Sequence, residues 1–207
     1  MPADRSPSVL ISGIHSDHGF AISHRLRLEG WFVVGCDQGS LPGRNARAHI
    51  TVDVTDEADC QQAVTKAADL GNGLDCIVTC AQVRVDGPVD AFTGPEWDVM
   101  MDVNAKSVFL LARAAVPYLS ETHGTIVAVA PGKPGLHEHA VFDASRAAMV
   151  SLVGSLRSEL EPRSIHVSMI VPDDGDHALT ANEVADAVWA SVCRDEEGHI
   201  RSFAHAH

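Results

Sequence analysis

The feature that most constrains this chain is the recurrence of short apolar runs separated by helical segments. Residues 9–13 (VLISG), 31–37 (WFVVGCD), 48–54 (AHITVDV), 74–81 (LDCIVTCA), 124–130 (GTIVAVA) and 164–172 (SIHVSMIVP) each read as a buried strand. Helical stretches fall over 19–30, 55–71, 95–120, 140–161 and 181–193. Thr55 is placed to cap the second of these and Gly71 to follow its end, while Pro95 suits a first helical turn. Residues 199–205 suit an edge strand. Strand–helix–strand repetition pairs strands in parallel, covers both faces of the sheet and makes right-handed crossovers. The expected architecture is α/β, one doubly wound parallel sheet with helices on both faces.

A chain of 207 residues with 45% hydrophobic content can bury one core, and no linker or repeat divides it, so residues 1–207 read as a single domain. The net charge of −13 argues against nucleic acid or an anionic membrane as a partner. No uninterrupted apolar stretch is long enough to span a bilayer, and the first ten residues lack the apolar segment of a signal peptide. A cytoplasmic protein is expected. Five cysteines, an odd number set mostly in apolar or helical surroundings, suit reduced thiols.

Ligands of such sheets lie beyond the carboxyl ends of the strands, so the residues there carry the functional reading. SGIHSDHGFA (12–21) follows the first strand and places Gly13 and Gly19 where a phosphate-binding turn needs them. Asp17 stands where a middle glycine is expected. It is a good N-cap, but a carboxylate there also repels a diphosphate by roughly a few kcal/mol at intermediate dielectric. Asp37 ends the second strand as a candidate acceptor for a ribose hydroxyl, and no Arg or Lys follows before Arg44. That favours NAD over NADP. Asp53 and Val54, after the third strand, are placed to edge an adenine pocket.

These motifs resemble the short-chain dehydrogenase/reductase family from about Ser8 to the end of the chain. The resemblance implies a Rossmann-like fold, a nicotinamide cofactor and subunit assembly. Its glycine loop falls on SGIHSDHG, its second-strand acid on Asp37 and its Asp-Val pair on Asp53-Val54. The Asn-Asn-Ala-Gly after the fourth strand falls on Thr79-Cys80-Ala81-Gln82, keeping Ala81. The family's helix asparagine, part of a water relay, falls on Asn104. Its catalytic Tyr-x-x-x-Lys falls on Phe142-x-x-x-Arg146, and its catalytic serine on the neighbourhood of Ala130 and Pro131. Phe142 has no proton to move, and Arg146 is permanently charged but could hold a ribose or an anion. The sole tyrosine, Tyr118, lies too far along its helix to substitute. DDGDHALT (173–180) leads almost directly into the last helix, so the substrate lid is reduced.

The resemblance with these replacements implies a catalytically silent or assembly subunit. The apolar residues of helices 95–120 and 140–161 suggest pairing with itself or with a relative. The alternative is a divergent enzyme, an NAD-linked oxidoreductase or a non-redox lyase, isomerase or cyclase, whose acid/base is His137 or His139. Those histidines, with Asp173, Asp174 and His177, form at most a weak metal-ligand pattern, and no metal is assigned. Cys76 and Cys80 point to one face of a strand, too far apart for a bridge, and Cys80 reads as a core residue or a nucleophile. His15 and His18 read as surface residues.

Overall fold

The computed structural model describes residues 5–39, 46–130, 132, 139–172 and 178–193. Six strands pair in parallel: β1 (Ser8–Ser12), β2 (Phe32–Asp37), β3 (Ala48–Thr51), β4 (Cys76–Thr79), β5 (Thr125–Val129) and β6 (His166–Ile170). Their order across the sheet is β3-β2-β1-β4-β5-β6, so the winding direction reverses between β1 and β4. Ser12, at the end of β1, sits between Cys36 of β2 and Thr79 of β4. The carboxyl ends at this reversal form the crevice to which the fold directs a ligand. All six strands fall where the apolar runs place them; the edge strand read over 199–205 lies outside the described residues.

Helices α1 (Asp17–Leu28), α2 (Glu57–Gly71), α3 (Gly94–Met101), α4 (Ser107–Thr122), α5 (Ala140–Leu160) and α6 (Ala181–Val192) cover the two faces. Leu10, Ile77 and Ile126 of the strands pack with Val64, Leu111 and Met149 of α2, α4 and α5. Val9, Ile11, Val33 and Val127 pack on the opposite face with Ile22 of α1 and Val188 of α6. Alternate strand residues therefore serve alternate cores, which is why the strands are apolar on both sides.

Two helix ends differ from expectation. Asp56, not Thr55, caps α2 by accepting from the Asp59 N–H at 2.9 Å. Gly71 is the last helical residue, and Asn72 follows in the left-handed conformation (φ 53°). The long helix expected over 95–120 runs without a break from Gly94 to Thr122. It opens with Thr93 and Glu96 as a reciprocal capping box and is widened at Asp102–Lys106 into one π turn, closed by the Ser107 N–H on the Asp102 carbonyl. Between β6 and α6 the Leu179 N–H donates to the Pro172 carbonyl at 2.6 Å, and the intervening part of the segment read as a reduced lid lies outside the described residues.

Candidate functional site

Gly13 turns the chain out of β1 at φ 66°, and a Cβ there would lie 2.6 Å from the Ala81 nitrogen. A Cβ on Gly19 would overlap the Gly13 carbonyl oxygen, so both glycines are required for α1 to pack against the strand ends. Asp17 is not the cap of α1. Ser16 is: its Oγ accepts from the Gly19 N–H at 3.0 Å and donates to the Gly13 carbonyl at 2.8 Å. Asp17 is instead the first helical residue and exposed, where its charge complements the helix dipole.

Asp37, at the end of β2, accepts from the N–H groups of Gln38 (2.8 Å) and His15 (3.3 Å), and the His15 Nδ1 lies 3.5 Å away. The His15 ring stacks on that of His49, with centroids 5.1 Å apart. Asp53 accepts from the N–H (2.9 Å) and hydroxyl (2.7 Å) of Thr55, and these bonds hold its carboxyl below the usual range. Around these groups opens a cleft of about 650 Å³ whose lining includes Gly13, Asp37, Asp53, Val54 and Ala81. Five of the residues read from sequence as cofactor ligands thus meet in one concavity. His18, read as a surface residue, is half-buried and lines it, and burial pulls its pKa down.

Cys80 lines it too, but Asn104, Phe142, Arg146 and Ala130 do not. Asn104, 1% exposed on the π turn, accepts from the Val83 N–H and donates to the Val83 carbonyl, both at 2.8 Å. Its Nδ2 also donates to the Ser145 Oγ at 3.0 Å, and Ser145 in turn donates to the Phe142 carbonyl at 2.8 Å. The amide therefore ties the loop after β4 to the head of α5. Phe142 is 2% exposed and packs with Met100 and Val141, bordered by Val83, Val85 and Phe92. Four residues on, the Arg146 Nε is buried without a hydrogen-bond partner among the described residues. Ala130 is fully buried, and its N–H donates to the Ile170 carbonyl at 2.8 Å. Tyr118 bonds Thr65 at 3.1 Å, away from all of these.

Three relationships were missed in reading the sequence. The Gln82 Nε2 reaches from the loop after β4 to the Val129 (3.2 Å) and Ala130 (3.3 Å) carbonyls at the end of β5. Arg84 donates to both oxygens of Asp86 (2.7 and 3.0 Å), and its guanidinium stands 4.9 Å from the centre of the Phe142 ring. His139 Nδ1 meets Asp86 at 2.8 Å, and Arg84 Nη2 lies 3.2 Å from the same ring nitrogen. The spacing Arg84-Val85-Asp86 in extended chain puts both charges on one side, a signal the sequence did contain. His137, Pro131, Asp173, Asp174 and His177 lie outside the described residues. Cys76 and Cys80 do share one face, and burial raises the Cys80 thiol well above its ordinary pKa, which suits a core residue and not a nucleophile.

No helix among the described residues is long and apolar enough to cross a membrane. The chain is 26% identical over 183 residues to an uncharacterized oxidoreductase of Staphylococcus aureus strain USA300, covering 83% of this chain and 79% of that one. Its fold is similar to a mutant short-chain dehydrogenase/reductase of Serratia marcescens (TM-score 0.79, 26% identity, 89% and 88% of the two chains). It is also similar to 3-ketoacyl-(acyl-carrier-protein) reductase from Brucella melitensis complexed with NADH (TM-score 0.82, 22% identity, 91% of both). The family model described as short chain dehydrogenase matches residues 7–187, and the chain belongs to the short-chain dehydrogenase/reductase family.

Proposed function

We propose that this protein keeps the family's nucleotide cleft but not its proton-moving groups, and acts as a catalytically silent, nucleotide-binding or assembly subunit. The observation that carries this reading is Phe142. Its ring sits in an apolar cluster beneath Arg84, at the position where the family's acid/base stands, and it has no ionisable atom. Ala130 has no hydroxyl to orient a substrate oxygen, and the Asn104 amide is engaged by Val83 and Ser145.

A bound nicotinamide would supply a hydride acceptor or donor. The chain's own residues fit one half of such a cofactor: Gly13 and Gly19 leave room that any Cβ would fill, Asp37 offers an acceptor to ribose, and Asp53 and Val54 edge the far end. NAD fits better than NADP, because Asp37 repels a 2′-phosphate and the described lining holds no Arg or Lys to offset it. Arg146, whose Nε has no hydrogen-bond partner among the described residues, is a candidate contact for an anion. Assembly through α3, α4 and α5 is supported by Trp97 and Phe109, which are apolar and exposed on α3 and α4.

The test is thermal stability with NAD⁺, NADH and NADP⁺, combined with an assay of hydride transfer over a panel of alcohols and carbonyl compounds. Stabilisation by NAD⁺ without turnover is expected. Hydride transfer with any of these compounds would overturn the silent reading. A second reading, an enzyme using His139 as acid/base, is favoured by its 2.8 Å bond to Asp86, which can fix one ring tautomer. That reading predicts an activity lost together in His139→Gln and Asp86→Asn.

A further inference from the structure

The two halves of a doubly wound sheet each present a place for one mononucleotide, and here the two places differ. Over β1, β2 and β3 the cleft is open, with Gly13, Asp37 and Asp53 along its wall, and Gln82 and Val83, after β4, line its other side. Over β4 and β5 the Gln82 amide lies across the strand ends, held by the last carbonyls of β5 at 3.2 and 3.3 Å. The Ala130 N–H beside it is already given to Ile170. Gln82 stands where the family carries glycine, so a side chain fills space that the family leaves empty.

The charge of the cleft points the same way. Its lining carries Asp37, Asp53 and Asp102, while the nearby ammonium of Lys106 pairs with Asp102 at 3.3 Å. At the head of α1 the Ser16 hydroxyl is spent on Gly13 and Gly19, and Asp17 adds a carboxylate to the first turn. A diphosphate brought there meets like charge that offsets the attraction of the helix end.

Building on the reading of this cleft as a nucleotide site, we propose that it recognises adenosine alone: the ribose diol on Asp37 and the base beside Asp53 and Val54, with the diphosphate and nicotinamide of a dinucleotide adding no affinity because Gln82 occupies their end. Gln82 is then a specificity-determining residue, and neutral adenine nucleosides are ligands in their own right.

Titration calorimetry on the full chain with adenosine, NAD⁺ and nicotinamide mononucleotide tests this. Adenosine and NAD⁺ are expected to bind within about threefold of one another, with no binding of the mononucleotide. NAD⁺ binding more than about tenfold tighter than adenosine overturns the proposal. In Gln82→Gly and, as a milder change, Gln82→Ala, NAD⁺ affinity is expected to rise about tenfold while adenosine affinity stays within twofold. Unchanged NAD⁺ affinity in both folded variants overturns the role of Gln82. Absence of binding by every ligand sinks the proposal but leaves the silent-subunit reading standing, whereas hydride transfer sinks that reading and leaves the affinity ratios to decide this one.

Discussion

Arg84 lies over the ring of Phe142, its guanidinium carbon 4.9 Å from the ring centre, while the same side chain holds Asp86. On the proposed reading, the pair closes one side of the place where a hydroxylated ring would work in the family. It also makes Phe142 a structural residue, bound by cation–π contact above and by Met100 and Val141 around it.

On the proposed silent reading, restoring the phenol alone is not expected to restore the reaction. In Phe142→Tyr the new hydroxyl enters a buried apolar cluster, and stability is expected to fall by about 1–3 kcal/mol if it finds no partner. Hydride transfer should remain absent, since Ala130 still lacks a hydroxyl. Urea unfolding and a cofactor-reduction assay check both, and turnover in this single variant would contradict the account.

Asn104 is worth more to the fold than its exposure suggests. Asn104→Ala leaves the Val83 N–H and carbonyl without their partner and removes the tie to Ser145. A loss of about 3 kcal/mol is expected. Hydrogen exchange should show faster exchange at the Val83 amide. If that amide stays as protected as in the wild type, the amide clamp does not hold the loop.

Acid should weaken the fold through two histidines. Burial lowers the pKa of both His49 and His18 below the ordinary 6.5; His15 lowers His49 further, and Asp37 and Asp17 respectively oppose the shifts. The unfolded chain then takes up protons near pH 6.5 before the folded one does, so stability is full above that value and declines below it. Unfolding free energies measured from about pH 7.5 down to 5 should fall, and fall less steeply in His49→Gln. Equal slopes in the two proteins would count against this source.

At the opposite end of the sheet, Arg5 grips Asp75 through two bonds (2.6 and 2.9 Å), and the Ser8 N–H gives Asp75 a third at 2.7 Å. Asp75 is 2% exposed. Arg5→Ala strands a buried carboxylate and should cost about 3–5 kcal/mol, whereas a joint change of both residues to apolar ones should cost less. Chemical denaturation of the single and double variants reads the difference directly.

Much of this molecule follows from its sequence alone. Six apolar runs, each bounded by turn residues, specify six strands because a strand buried on both faces has no other composition, and the helices between them require parallel pairing. Gly13, Asp37 and Asp53 were legible as a set because strand ends in such a sheet converge on one crevice whatever lies between them. The helix caps were less so: Ser16 and Asp56 compete with equally good neighbours, and one residue of offset is decided by which hydroxyl or carboxylate meets the free N–H groups. The contacts of Gln82, Arg84, Asp86 and Asn104 were decided by the tertiary structure. They join the loop after β4 to β5, to the π turn and to the head of α5, 21 to 55 residues away in the chain, and no local propensity encodes a side chain's partner across that separation. Sequence shows that Phe142 lacks a proton to give; packing decides that Arg84 covers it.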